Sequence, residues 1–362
     1  MSAQPFYDPT VSYEDNYQKG PFGAFQDTKT YNQKGEPEYE FLGQKIYLPF
    51  GIPAGPLLNS KFVKGAFEKG FDVCVYKTVR SDIFPCHPFP NVLAIHFDGP
   101  DLTLKALENS VLADTKYENP ISITNSFGVP SRKAEIWQED VEKAMSYAGK
   151  GQLMILSFMG TVKKDQTQQE FIDDFVLAAK LSKETGAKVL EANLSCPNIG
   201  NEGLVCYNLE VTKKVAAGIR KVIGNTPLVL KIGYYRDAAD LEKFAEIAGE
   251  YADDIAGINT LQAAVVDKNG EQALPGPGRL RSGVCGQGIK WAGLETAKKL
   301  KEIKDRRGFS YSITGVGGVT EPQDYFAYRE AGADCVMSAT GAMWNPLLAQ
   351  QVKEKAADPS RA

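Results

Sequence analysis

The stretch Tyr311-Ser312-Ile313-Thr314-Gly315-Val316-Gly317-Gly318 reads as a short strand that delivers a glycine turn to a helical segment beginning near Glu321. Small residues in such a turn let backbone N–H groups approach a phosphate at a helix N-terminus. A second edge of this kind follows one unit later, where the apolar run 335–339 leads into Ala339-Thr340-Gly341. One glycine run alone is more often a plain turn. Two at consecutive strand ends match the phosphate site that recurs after the seventh and eighth strands of (β/α)8 barrels.

Outward from that stretch, short apolar runs alternate with longer helical patterns, the rhythm of βα units on a parallel sheet. Eight strands are predicted, at 46–54, 73–79, 153–158, 189–194, 228–232, 257–261, 311–315 and 335–339. Between them, 168–184 spaces Phe171, Phe175, Ala178 and Leu181 by threes and fours, and 241–251 gathers Phe244, Ile247 and Ala248 on one side. Both are helix faces laid against a sheet. A chain of 362 residues could hold one large domain or two ordinary ones. The count of eight favours an α/β fold, a (β/α)8 TIM barrel over 41–362 behind an N-terminal extension over 1–40.

Two stretches interrupt the rhythm. Residues 80–152 exceed a βα loop and contain a further apolar run at 121–124, and residues 262–289 are long and rich in Gly and Pro. Loops of this length in a compact domain are usually functional or disordered. In a barrel they are insertions at the C-terminal face, where active sites sit.

Bulk composition narrows the partners. Forty-one Lys and Arg against 45 Asp and Glu give a net charge of -4, and the sequence pI is near 5.5. That offers no basic footprint for a nucleic acid. No uninterrupted apolar stretch approaches the roughly 20 residues of a membrane span, and the start of the chain is polar and aromatic rather than signal-like. The expectation is a cytoplasmic protein with no nucleic-acid or membrane partner. The cysteines, Cys74, Cys86, Cys196, Cys206, Cys285 and Cys335, form no CxxC pair and read as free thiols. With only His87 and His96 as histidines, no metal site is expected.

The informative pattern is where polar residues fall. Lys77 ends the second predicted strand, Asn193 and Cys196 the fourth, Lys231 the fifth, and Asn259 with Thr260 the sixth. An asparagine at a strand end is by itself commonly a turn former. A lysine closing an apolar strand is costlier to explain structurally, because burying an unpaired ammonium is expensive. All of them point into one mouth. The run GVGGV lacks the GxGxxG spacing of a dinucleotide fold, so flavin mononucleotide is favoured over NAD as the cofactor. Cys196 is framed by Asn193, Asn198 and Pro197. A thiol of pKa about 8.5 can act as a general base where its surroundings stabilise the thiolate.

The segment Asn193-Leu194-Ser195-Cys196-Pro197-Asn198 resembles the catalytic segment of dihydroorotate dehydrogenases, and a looser likeness runs from about residue 41 to 352. Its cysteine is similar to the base of the soluble class of that family. The resemblance implies FMN-dependent oxidation of dihydroorotate to orotate in pyrimidine biosynthesis. Cys196 would take the C5 proton while hydride passes from C6 to flavin N5, with Lys77 as a second catalytic group. It further implies substrate contacts at Lys77, Asn125, Phe127, Gly128, Val129, Asn193, Asn198, Asn259 and Thr260. Cofactor contacts are implied at Ala54, Gly55, Lys77, Thr78, Asn125, Asn193, Lys231, Gly286, Gly317, Gly318, Ala339 and Thr340.

The segment Val129-Pro130-Ser131-Arg132 departs from the Leu-Pro-Asn or Leu-Gln-Asn usual in soluble family members. The insertion over 80–120 has no counterpart there. Gly200-Asn201-Glu202-Gly203 is similar instead to dihydropyrimidine dehydrogenases, which act on uracil and thymine. That alternative stays open at this point, as does a tRNA dihydrouridine synthase, against which the acidic balance counts. For the second electron acceptor the family offers fumarate or a partner NAD/iron-sulfur subunit, quinone being disfavoured, and it suggests a homodimer.

Overall fold

The computed structural model describes residues 4–119, 121–195 and 203–357. Eight parallel strands close into a barrel in chain order: Phe50–Ile52, Val73–Val79, Leu153–Phe158, Val189–Asn193, Leu228–Ile232, Asp254–Gly257, Ser312–Val316 and Cys335–Met337. Every strand-to-strand ladder in this ring is parallel. Strands buried on both faces read as nearly continuous apolar runs, which is why the (β/α)8 architecture is legible from sequence.

The helices follow their sequence patterns. Gln168–Glu184 starts with a capping box, Thr167 and Glu170 each satisfying the other's backbone N–H, and buries Phe171, Phe175 and Ala178. Truncating a buried Phe such as Phe175 to Ala typically costs about 3–5 kcal/mol. Ala238–Tyr251 is capped by Asp237 and buries Leu241, Phe244 and Ala248.

Two predicted strands need correction. The run 46–54 splits: Ile46 ends a small antiparallel hairpin, Tyr39–Phe41 with Gln44–Ile46, and only Phe50–Ile52 joins the barrel. Phe41 and Ile46 pack with Val73, Leu153, Val189 and Val229 inside the barrel, so the hairpin plugs its N-terminal end. The run 257–261 also straddles two elements. The barrel strand is Asp254–Gly257, and Leu261 already begins another strand, Leu261–Val266. The fully buried Asp254 conceals the true strand, because aspartate is depleted in strands.

The insertions are not loops. Val92–His96, Ser110–Asp114, Ser122–Asn125, Leu261–Val266 and Arg281–Gly286 close into a second, five-stranded barrel. Its pairings are antiparallel except for Ser110–Asp114 beside Leu261–Val266. Because its strands leave the C-terminal ends of the second and sixth barrel strands, it stands over the mouth. Tyr7 of the N-terminal lead reaches the same mouth, and next to it Phe6 stacks on Phe25 at 4.2 Å between ring centroids and meets Phe62 edge-on. Ser12 caps the short helix Tyr13–Lys19.

Candidate active site

A cavity of about 480 Å³ opens between the barrel mouth and the five-stranded cap, within the size range of small-molecule sites. From the first strand it takes Ala54 and Gly55, from the second Lys77 and Thr78, from the fourth Asn193, and from the fifth Lys231. Asn259 and Thr260 enter after the sixth strand, Ala339 and Thr340 after the eighth. The cap contributes Asn125, Phe127, Gly128 and Val129. These sequence-predicted residues therefore share one space.

Lys77 and Thr78 are buried neighbours with opposite roles. Thr78 Oγ1 lies 2.9 Å from Ser157 Oγ and 3.5 Å from Asn193 Nδ2, which donates to it. Asn193 Oδ1 in turn accepts from the Ser195 amide at 3.2 Å and hydroxyl at 2.7 Å, fixing the carboxamide's orientation. The Lys77 ammonium stands over the rings of Phe127 and Tyr13, 5.6 and 5.8 Å from their centroids. Burial pulls its pKa down to about 8, with Arg80 and Lys231 pushing the same way and Cys86 opposing. Such a cation is poised to receive an anionic substrate group.

The cap loop is held by two arginines. Arg80 donates to the carbonyls of Gly128 and Val129, each at 2.9 Å, and to Gly160 and Thr161. Arg279 donates to the Ser126 carbonyl at 2.8 Å and to the Pro88 carbonyl at 2.9 Å. His87 fits beneath the turn: a Cβ on Gly128, whose φ is +73°, would stand 2.5 Å from its ring. Arg80, His87, Arg281 and Cys285 also line the cavity. None carried a sequence signal, since all lie in stretches read as loops; only the glycine after Cys285 drew attention.

Lys231 is 3% exposed, and its Nζ lies 3.4 Å from the Ala54 carbonyl. Burial lowers its pKa, while Glu191 and then Cys285 raise it. The Cys285 thiol accepts from Asn125 Nδ2 at 3.3 Å and from Thr340 Oγ1 at 3.4 Å. Burial raises its own pKa against those two bonds and the charge of Lys231. Gly55 has φ +141°, and a Cβ there would meet no described atom within 4 Å. Its bareness faces the cavity, not the protein.

Gly286, Gly317 and Gly318 do not line the cavity, although Cys285 and Val316 beside them do. All three have positive φ, and a Cβ on Gly286 or Gly318 would come within 2.4 or 2.5 Å of the Ile121 carbonyl or Lys290 Cα. Close backbone at Gly286 and Gly318, and the positive φ at all three, favour glycine there. Cys196 and Asn198 lie outside the described residues. Among the described residues Cys74, Cys86, Cys206, Cys285 and Cys335 are free, no group of metal-ligating side chains occurs, and no helix is long and apolar enough to cross a membrane.

Against known proteins, the family model described as dihydroorotate dehydrogenase matches residues 114–358. Dihydroorotate dehydrogenase of Dictyostelium discoideum is 39% identical over 96% of this chain and 96% of its own length. This chain belongs to the dihydroorotate dehydrogenase family. More distant members include the catalytic subunit of dihydroorotate dehydrogenase B (NAD(+)) of Brachyspira hyodysenteriae, 27% identical over 65% of this chain and 72% of that one. The subunit of the same description from Malacoplasma penetrans is 30% identical over 50% of this chain and 57% of its own length. Likeness thus spans nearly the whole chain in the first of these relatives and between half and two thirds of it in the other two.

Proposed function

We propose that this protein oxidises dihydroorotate to orotate, as an oxidoreductase acting on a CH–CH group with FMN as its cofactor. The observation that carries the reading is the convergence of Lys77, Asn125, Asn193, Asn259 and Thr260 with buried Lys231 on one cavity, in a chain that matches a dihydroorotate dehydrogenase along 96% of its length. A dihydropyrimidine presents amide and imide donors and acceptors along its edge. Carboxamides can answer both kinds at once, which charged side chains cannot.

The residues also fit a flavin. Gly55 leaves open the space a side chain would fill, and Lys231 brings a buried positive charge against the same wall. Ala54, Gly55, Thr78, Asn193, Lys231, Ala339 and Thr340 would hold it, with the backbone around Gly286, Gly317 and Gly318 supporting the phosphate end. FMN supplies, when bound, the two-electron acceptor for the hydride that leaves C6.

The chain's own groups do the rest. Asn193, oriented by Ser195 and Thr78, Asn125, Asn259 and Thr260 bind the ring edge. Phe127, Gly128 and Val129 close over it while Lys77 and Asn198 hold the carboxylate. Cys196, two residues beyond Leu194 at the end of the fourth strand, takes the C5 proton. We further propose a cytoplasmic homodimer that passes its electrons to fumarate or to a partner NAD/iron-sulfur subunit. Residues 1–40 act as an N-terminal extension of the barrel, from which Tyr7 reaches the cavity.

Anaerobic mixing of the purified yellow protein with dihydroorotate tests the reading directly. Flavin absorbance should bleach with dihydroorotate and stay unchanged with dihydrouracil. Bleaching by dihydrouracil alone would transfer the chain to uracil-type substrates, and bleaching by neither would sink the assignment.

A further inference from the structure

Below the mouth, the barrel interior carries charge. Val189, Val229, Ala256 and Val316 belong to the interior apolar cluster. Strand alternation places Glu191, Lys231, Asp254 and Thr314 on that same inner face. Glu191 and Thr314 are 1% exposed and Asp254 is fully buried. In the ladder between the fourth and fifth strands, Glu191 pairs with Val229 and Asn193 with Lys231. Glu191 therefore stands on the strand beside Lys231, one layer deeper.

The hydrogen-bond inventory of this layer is incomplete. Glu191 Oε1, Asp254 Oδ2 and Thr314 Oγ1 have no partner among the described residues. A lone buried carboxylate or ammonium is costly, and either stays ionised only beside the other. Burial drives the Glu191 carboxyl up and the Lys231 ammonium down, and each is the leading charge that pulls the other back. Other groups act on this layer from neighbouring elements. Lys77 faces it from the second strand and Cys285 from the cap. Ser157, the register partner of Glu191 on the third strand, favours the ionised carboxylate. Asp254, pushed up to about 7, faces it from the sixth.

We propose that Glu191 is a positioning residue for the cofactor face: as the carboxylate one layer beneath Lys231 on the neighbouring strand, it keeps the positive charge of that lysine against the cavity wall at Ala54. The proposal rests on the reading of this cavity as the FMN site. With the carboxylate gone, the ammonium keeps only the Ala54 carbonyl and Cys285 to favour it, and burial pulls its pKa further down. The charge at the flavin then becomes pH-dependent, whereas in the wild type it is not.

Sulfite, which adds to oxidised flavin and is favoured by positive charge beside the ring, reads that charge without turnover. In Glu191→Gln holoenzyme, sulfite affinity relative to wild type should fall by about tenfold or more between about pH 6 and about pH 9. At the upper end it should meet the value of Lys231→Met. The Gln substitution should have no effect in a Lys231→Met background. A Glu191→Gln profile parallel to wild type overturns the proposal, whether or not dihydroorotate bleaches the flavin.

Infrared spectroscopy of Lys231→Met against wild type provides an arm that needs neither flavin nor the Gln variant. Loss of the ammonium should leave Glu191 protonated, adding one carboxylic-acid band. Its absence would show that the two groups are not paired. A wild-type protein that purifies without flavin would remove the cofactor reading while this arm still decides the pair.

Discussion

Arg80 grips Val129: its Nε donates to the Val129 carbonyl at 2.9 Å while Nη2 donates to the Gly128 carbonyl at the same distance. Val129 has φ +53°, a left-handed backbone that a β-branched residue adopts at a cost of about 1–3 kcal/mol. The guanidinium thus maintains a strained turn over the cavity, at the end proposed to take the substrate. Arg80→Ala leaves half-buried carbonyls without their donor, each worth up to about 1–3 kcal/mol, and releases the turn. We expect a lower melting temperature and a KM for dihydroorotate raised by about tenfold or more, with flavin content unchanged. An unaltered KM in steady-state assays would remove the loop from substrate binding.

Lys77 predicts an alkaline limb. Its folded pKa is depressed from 10.5 to about 8, chiefly by burial. Below about 8 it is protonated both folded and unfolded, and burial of the charge costs stability on the order of 3 kcal/mol. Between about 8 and 10.5 the unfolded chain binds more protons, so that cost is relieved as pH rises. Binding of a substrate carboxylate runs the other way, because the ammonium that receives it is lost above 8. The rate constant for flavin reduction at low dihydroorotate should fall as pH rises through about 8. Lys77→Met should lose that limb, bind dihydroorotate poorly throughout, and melt at a higher temperature than wild type near neutral pH. Persistence of the limb in Lys77→Met would assign it to another group.

Gly55 separates ligand space from protein packing. A side chain there meets no described atom within 4 Å but must adopt φ +141°. Gly55→Val should therefore lower the stability of the flavin-free protein by about 1–3 kcal/mol, the price of the backbone alone. Flavin retention should be lost altogether, because the new side chain occupies cofactor space. Full flavin content in the purified variant, measured by absorbance after denaturation, would place the cofactor elsewhere.

Much of this site was legible in the sequence for one physical reason. Lys77, Asn193, Lys231 and Asn259 are polar residues that end or follow apolar runs, and strand ends of a parallel barrel share a face. The second barrel was not legible. Its strands are short, separated by Pro- and Gly-rich turns, and paired across long separations, as where Asn125 faces Gly283. Periodicity within one segment carries no information about such a partner. Arg80, His87 and Cys285 were hidden with it. Asp254 misled in a different manner, because its burial is sustained by interior partners such as Ser312, whose hydroxyl donates to it at 2.8 Å, and these are remote in sequence.

Cys196 is the proposed base, and its neighbours set the terms of its test. Asn193 is pinned by Ser195 on one side and Thr78 on the other, so a change at Cys196 need not disturb the ring-binding carboxamide. Cys196→Ser puts a hydroxyl of similar size in place of the thiol, and exchanges a group of pKa about 8.5 for an alcohol far harder to ionise. General-base catalysis of this kind contributes about 10²–10⁴-fold. Flavin reduction by dihydroorotate, followed by stopped flow under anaerobic conditions, should slow by a factor in that range. Flavin content and the dissociation constant for orotate should stay near wild type. At saturating dihydroorotate the residual rate should keep rising with pH beyond the point where the wild-type rate levels. A serine variant that reduces its flavin at the wild-type rate would transfer the proton abstraction to another residue and leave Cys196 a structural thiol.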